Sequence, residues 1–434
     1  MEPVTVGYIG LGILIVLLFG GLHIGVAMAL IGFFGMVYLS GWSAGLGLLR
    51  TSPWGTYFTS YDFSVIPLFI LMGEFCFHGK ISGDLYQTAH QLFGKMRGGL
   101  AVATIAACAA FAAVCGSGIA TAATMTTVAL PEMRKYKYDM GLATGALAAG
   151  GTIGILIPPS IIMVIYGMMT QTSIGKLFLA GFIPGILQAG MFMSVILIMC
   201  WRNPKLGPSG PSTTRMEKLS SLKNTWIVIV LFFLVIGGIY FGWFTPTEGA
   251  AIGAVGAFLF ALGRRQLGWK QFKNSLLSAT KTTGMIFFII LGALMFSYFL
   301  AVTRLPTHLA ELMAGLDVSP YLVWCIIVVL YIFLGAVMDE IGMILLTVPI
   351  LYPIMTGLGF DPIWFGIMVV IVCEMGMIAP PVGMNVFVVK GMAQDVPTYT
   401  IYKGILPFLY IDIFEVALLT AFPMIVLWLP TVLK

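Results

Sequence analysis

The sequence predicts an all-α polytopic membrane protein built as two inverted-topology repeats, each with a re-entrant helical hairpin and a Pro-Pro-broken helix. Three observations carry that expectation. Of 434 residues, 59% are apolar and only 9% charged, whereas soluble domains carry charge on about a quarter of their residues. A run of Gly, apolar residues and Pro-Pro occurs twice, as GTIGILIPPS at 151 to 160 and CEMGMIAPPVGMN at 373 to 385, at an offset of 222 residues. The distribution of Lys and Arg reverses between the two copies.

Taken in order, the first apolar stretch, Val4 to Gly20, is preceded by Glu2 and by no Lys or Arg. It lacks the basic region of a cleaved signal and is expected as a retained first span. Spans follow near 5 to 20, 22 to 40 and 62 to 78. Residues 99 to 131 would make a single helix of about 50 Å, too long for a bilayer core of about 30 Å. Basic residues flank both ends (Lys95 and Arg97; Arg134, Lys135 and Lys137), so the segment is expected as a hairpin entering and leaving on one face, with Gly116-Ser117-Gly118 at its tip. Residues 139 to 169 hold Pro158-Pro159, which removes two backbone donors and disfavours helix before it. Such a break at membrane depth is tolerated only beside protein or a water-filled cavity. A span at 177 to 200 completes the first repeat, 1 to 201, and the polar stretch 202 to 224 is expected as a cytoplasmic linker.

The second repeat, 225 to 434, runs through spans near 225 to 243, 247 to 262 and 282 to 301, a hairpin at 320 to 353 with Met338-Asp339-Glu340 at its tip, a broken helix at 363 to 389 and a last span at 404 to 430. At the same offset Gly154 meets Gly376, Pro131 meets Pro353, and Pro158-Pro159 meets Pro380-Pro381. Lys and Arg gather in cytoplasmic loops. Gly41 to Ser60 carries only Arg50, while its counterpart, Gly263 to Lys281, carries Arg264, Arg265, Lys270, Lys273 and Lys281, so the halves are expected to be inverted. With the N-terminus outside, 18 of the 22 basic residues fall inside, leaving Arg50, Lys176, Arg304 and Lys434. The net charge of +5 therefore reads as orienting loops rather than a nucleic-acid surface. Trp42, Trp54, Trp201, Trp243 and Trp269 stand at segment ends, as interfacial aromatics do.

The six cysteines show no CxxC spacing, which signals neither a disulfide framework nor zinc. The four histidines read as scattered, none in a helical i, i+4 pair with another ligand type. GSG at 116 to 118 is not the GxSxG of a hydrolase. The glycine-rich stretch Gly141 to Gly154 lacks GK[ST] and reads as close helix packing. No catalytic residue is expected.

Broken helices in two corresponding places mark a binding site at mid-membrane, where positive helix ends attract anions and free carbonyls coordinate sodium. The first half offers Ser117, Thr121, Ser160 and the carbonyls before Pro158; the second offers Asp339, Glu340, Thr347 and Asn385. Glu74 and Glu374 are further intramembrane acids, either structural partners or secondary ligands. No Lys or Arg lies between Gly98 and Pro131, between Tyr138 and Gly175 or between Leu305 and Val389, so sodium and helix dipoles must neutralise an anion there. Direct proton coupling through Asp339 stays open.

Essentially the whole chain resembles the large membrane (DctM-like) subunit of tripartite ATP-independent periplasmic (TRAP) transporters. The resemblance rests on PLFILMGE at 67 to 74, CGSGIATAA at 115 to 123, LPEMRKYKYD at 130 to 139, IPPS at 157 to 160, TPTEGAA at 245 to 251, MDEIGMILLTVPILYP at 338 to 353 and PPVGMNVFVV at 380 to 389. It implies sodium-driven secondary uptake of a small organic anion (carboxylate, sugar acid or sulfonate) through the bacterial inner membrane by an elevator mechanism, with no ATPase. It implies two partners, a small four-helix DctQ-like membrane subunit and a periplasmic DctP-like substrate-binding protein. Substrate contacts are expected at Ser117, Gly118, Ser160, Asp339 and Asn385. Sodium, two ions by symmetry, is expected around Cys115, Gly116, Gly154 and Ile157 in one half and Met338, Thr347, Gly376, Ala379 and Gly383 in the other. Relatives often carry Thr before the second Pro-Pro, where this chain has Ala379 and offers no hydroxyl. A stand-alone sodium–dicarboxylate symporter and a non-transporting subunit of a membrane enzyme complex are the alternatives.

Overall fold

The computed structural model describes residues 1–54, 61–210, 215–315, 319–336 and 338–433, which are helical with short connections and contain no strand. The first half runs α1 (Pro3–Phe19), α2 (Ile24–Ser40), α3 (Trp42–Pro53), a 3-10 turn (Tyr61–Ser64) leading into α4 (Val65–His78), α5 (Ile81–Phe93), α6 (Gly99–Cys115), α7 (Gly118–Lys135), α8 (Met140–Leu156), α9 (Ile161–Thr170) and α10 (Ile174–Arg202). The second runs α11 (Arg215–Phe232), continuing through a π turn (Phe233–Gly237) into α12 (Gly238–Tyr240), then α13 (Pro246–Gly263), α14 (Trp269–Thr303), α15 (Leu305–Gly315), α16 (Pro320–Gly335), α17 (Glu340–Gly357), α18 (Pro362–Ile378), α19 (Met384–Met392), α20 (Thr398–Ala421) and α21 (Met424–Val432). Helices α7 and α17 begin and end 222 residues apart, as do α8 and α18. Both Pro-Pro bonds, Pro158-Pro159 and Pro380-Pro381, are cis.

Local sequence explains where these helices start. Asp139 accepts from the N–H of Leu142 at 3.0 Å and Asp361 from those of Ile363 and Trp364 at 2.8 and 3.0 Å, which satisfies first-turn donors that have no helical partner. Thr245 and Glu248 form a reciprocal capping box at the start of α13. Among the described residues six helices are long and apolar enough to cross a bilayer, and α8 with α9 makes a seventh, bent by 41° at the Pro-Pro break.

The broken helices form the centre. Every residue of α8 from Gly141 to Leu156 and of α18 from Trp364 to Ile378 is buried, as befits helices apolar on all sides. Glycines allow this: a Cβ added to Gly404 of α20 would collide with the carbonyl of Gly141, so α8 and α20 approach backbone to backbone. The five tryptophans expected at segment ends are all at least 63% exposed, whereas Trp324 and Trp364 are buried.

Several boundaries depart from the sequence expectation. The linker shortens, because α11 begins at Arg215; Met, Glu, Lys and Leu form helix well, and polarity places a segment outside the membrane without unwinding it. Residues 211–214 and Lys434 lie outside the described residues. For the same reason Trp269 to Lys281 is the first part of the 35-residue α14, not a loop. The hairpin arms run to Lys135 and Gly357. The last span is interrupted at Phe422–Pro423, where Pro423 has no N–H to continue the helix and Phe422 leaves the helical conformation at φ −127° and ψ 70°.

Candidate binding site

Both hairpin tips end in the same cap. The Ser117 Oγ accepts from the N–H of Ala120 at 3.5 Å to start α7, and the Asp339 carboxylate accepts from the N–H of Gly342 at 3.1 Å to start α17. The positive end of each helix therefore sits at a tip. Ser117 and Asp339 line one cavity of about 870 Å³, which α4 and α14 also line through Glu74, His78, Ser278 and Thr282. Asp339 also lines a second cavity of about 240 Å³. No Lys or Arg is among the described lining residues of either.

Glycines brace the tips against the breaks. Gly116 has φ +65°, and a Cβ there would come 2.8 Å from the Pro159 carbonyl oxygen. A Cβ on Gly154 would come 2.8 Å from the Ser117 carbonyl oxygen, so the first tip lies directly on α8. In the second half a Cβ on Gly376 would lie 2.6 Å from the Cα of Gly335, which joins α16 to α18. Gly383, at φ +63°, donates to the Ala336 carbonyl at 3.4 Å.

The breaks also free carbonyls. Proline nitrogens cannot donate, so the carbonyls of Gly154 and Ile155 lose their i+4 partners at Pro158 and Pro159, and those of Gly376 and Met377 lose theirs at Pro380 and Pro381. Gly376 keeps one donor, the N–H of Ala379 at 3.2 Å. Unwound carbonyls of this kind are the ligands that broken transporter helices present to sodium. No group of three or more His, Cys, Asp or Glu among the described residues could hold a metal ion.

Of the residues singled out for substrate, Ser117 and Asp339 reach the large cavity. Gly118 is buried behind its tip, against the Gly151 carbonyl and Met377. Ser160 is fully buried and its Oγ accepts from the N–H of Met163 at 3.3 Å, capping α9; its neighbours Ile161 and Ile162 line the cavity instead. Asn385 is fully buried, donates to the Ala148 carbonyl at 3.3 Å and so ties α19 to α8, while its Oδ1 has no partner. Of those singled out for sodium, Cys115 and Gly116 line the large cavity and Met338 the small one. Gly154 and Ile157 stand at the first break, and Gly376, Ala379 and Gly383 at the second. The Thr347 hydroxyl is engaged, donating to the Met343 carbonyl at 2.7 Å and lying 2.5 Å from the Tyr331 hydroxyl.

One reading of the sequence needs correction. His78 does form an i, i+4 pair: its Nδ1 lies 3.6 Å from Oε2 of Glu74 and 3.1 Å from the Ser275 hydroxyl, while Ser278 donates to Oε1 of Glu74 at 2.5 Å. The spacing of Glu74 and His78 was present in the sequence; the two serines of α14 were not legible as their partners.

The chain matches the family model described as the DctM component of the tripartite ATP-independent periplasmic transporter over residues 11–425. It is 37% identical over 371 residues to the C4-dicarboxylate TRAP transporter large permease protein DctM of Pseudomonas aeruginosa, covering 85% of this chain and 86% of that protein. It is 31% identical over 415 residues to the sialic acid TRAP transporter large permease protein SiaM of Vibrio cholerae, covering 95% and 96%. In fold it is similar to the Alcanivorax borkumensis YdaH transporter, with a TM-score of 0.56 at 14% identity over 88% of each chain.

Proposed function

Because this chain belongs to the DctM-component family of tripartite ATP-independent periplasmic transporters, we propose that it moves a small organic acid across the bacterial inner membrane, driven by a sodium gradient. The observation that supports this reading most is the shared cavity, into which Ser117 and Asp339 open from two different hairpins with no Lys or Arg beside them. An anion in that cavity draws its counter-charge from helix N-termini and from sodium held at the carbonyls of the two breaks. Asp339 repels a carboxylate, so its role is to accept a hydrogen bond from a substrate hydroxyl or amine and to set orientation. Relatives named for C4-dicarboxylate and for sialic acid favour an organic acid as the substrate class.

The repeats are inverted in this reading, with the N-terminus in the periplasm. Helices α1, α2 and α11–α13 stay fixed, and the hairpins with the broken helices carry the site across as an elevator. A DctQ-like subunit holds the fixed part, and a DctP-like periplasmic protein delivers the substrate. Replacing Asp339 tests the site. Asp339→Asn keeps an oxygen for the helix cap and removes the charge, while Asp339→Ala removes both. Both variants should stay folded, since a lost cap costs about 0.5–2 kcal/mol, and both should lose at least tenfold in uptake. Near-normal uptake by Asp339→Ala in properly folded protein would refute the role.

A further inference from the structure

The two breaks are not equally enclosed. Pro158, Pro159 and Ser160 are buried, whereas Pro380 and Pro381 are exposed and Val382 is half-buried. At the first break the chain re-enters helix through its own side chain, the Ser160 Oγ accepting from the N–H of Met163 at 3.3 Å. The residue 222 positions on is Val382, which has no hydroxyl, and the cap that follows it, Gly383, makes no side-chain hydrogen bond. The first helical acceptor of α19 is the Gly383 carbonyl, which takes the N–H of Phe387 at 3.2 Å. The carbonyls of Pro381 and Val382 precede it and have no partner within α19, and backbone carbonyls in a membrane domain need one.

Tyr402 supplies it from α20. Its hydroxyl lies 2.5 Å from the Pro381 carbonyl oxygen and 2.7 Å from that of Val382, so its one proton is shared between them. The helix that carries it is closely seated. A Cβ on Gly145 would come 2.4 Å from the Gly404 carbonyl oxygen, so two residues beyond Tyr402 α20 meets α8 backbone to backbone. On the other side, the Gly383 N–H donates to the Ala336 carbonyl at the end of hairpin arm α16. The unwound stretch is thus held between α20, seated on the first repeat's broken helix, and the second hairpin. The position that matches Tyr402 in the first repeat is Ala180, which is buried and has no hydroxyl, so this clamp belongs to the second break.

We propose that Tyr402 is a positioning residue for ion binding, which holds the second break in the unwound shape whose carbonyls, around Gly376, Ala379 and Gly383, receive sodium. This rests on the sodium reading above. Tyr402 is not itself a ligand, because its proton is engaged by two carbonyls. Without it the stretch has to be ordered when the ion binds, and that cost falls on affinity.

The test is sodium-specific thermal stabilisation of the full chain in lipid nanodiscs, melted over a series of sodium chloride concentrations with choline chloride holding the ionic strength constant. Tyr402→Phe keeps the ring and removes the hydroxyl. Tyr166→Phe is the matched control, since it deletes a tyrosine hydroxyl that donates to the Pro362 carbonyl at 2.7 Å, at the opposite end of α18 from the break. Sodium should raise the melting temperature of the wild-type chain. In Tyr402→Phe the sodium concentration that gives half the rise should go up about fivefold, the scale of one lost hydrogen bond. In Tyr166→Phe it should stay at the wild-type value, even where the melting temperature in choline falls. A wild-type midpoint in Tyr402→Phe, or an equal shift in both variants, would overturn the proposal and leave the sodium reading standing. No sodium-specific rise in the wild-type chain would remove the sodium reading and the proposal together. If Tyr402→Phe does not fold, hydrogen exchange of the wild-type chain decides. The amides of residues 382–386 should be protected before sodium is added, and exchange there as fast as in an open loop until sodium is present would overturn the proposal.

Discussion

Ser117 and Asp339 stand 222 residues apart at the same position of their hairpins and differ by one charge. That asymmetry was legible in the sequence, because an acid inside an apolar hairpin and a serine between glycines are conspicuous without coordinates. The bracing behind the tips was partly legible. The offset pairs Gly154 with Gly376, but only the packing shows that one touches its hairpin at the tip carbonyl and the other along the arm. Gly376→Ala should therefore overpack the α16–α18 contact and cost about 1–3 kcal/mol, read as a lowered melting temperature; an unchanged value would mean the two helices are not pressed together. Glu374 could be seen as a buried acid from sequence. Its grouping with Gln188 and Asp412 could not, because the contacts join three helices and no local pattern encodes them.

At the scale of elements, the repeat was readable because proline and glycine act through the backbone and leave the same mark wherever they recur. Helix starts at Asp139, Thr245 and Asp361 follow from their own side chains. Residues 215–224 and 269–281 misled for a physical reason: charge density reports exposure to water, and an exposed helix carries as much charge as a loop. The breaks make a direct prediction. Replacing Pro158 and Pro159 together with alanine restores the N–H groups that the Gly154 and Ile155 carbonyls lack, and lets α8 run on into α9. The variant should fold yet need at least tenfold more sodium for half-maximal uptake. An unaltered sodium dependence would exclude these carbonyls as ligands.

At the scale of the molecule, the all-helical membrane fold and family membership agree with what the sequence predicts. The proposed inversion rests on the reversal of Lys and Arg between the halves, and the proposed elevator on the buried first segments of the two broken helices, α8 and α18. The account stands on what drives transport and what delivers the substrate. The most direct measurement is uptake of organic acids into proteoliposomes holding this chain and its small partner, under an inward sodium gradient, with and without the cognate binding protein. Saturable uptake that requires both the gradient and the binding protein is the predicted result; uptake on sodium alone, or uptake indifferent to sodium, would contradict it.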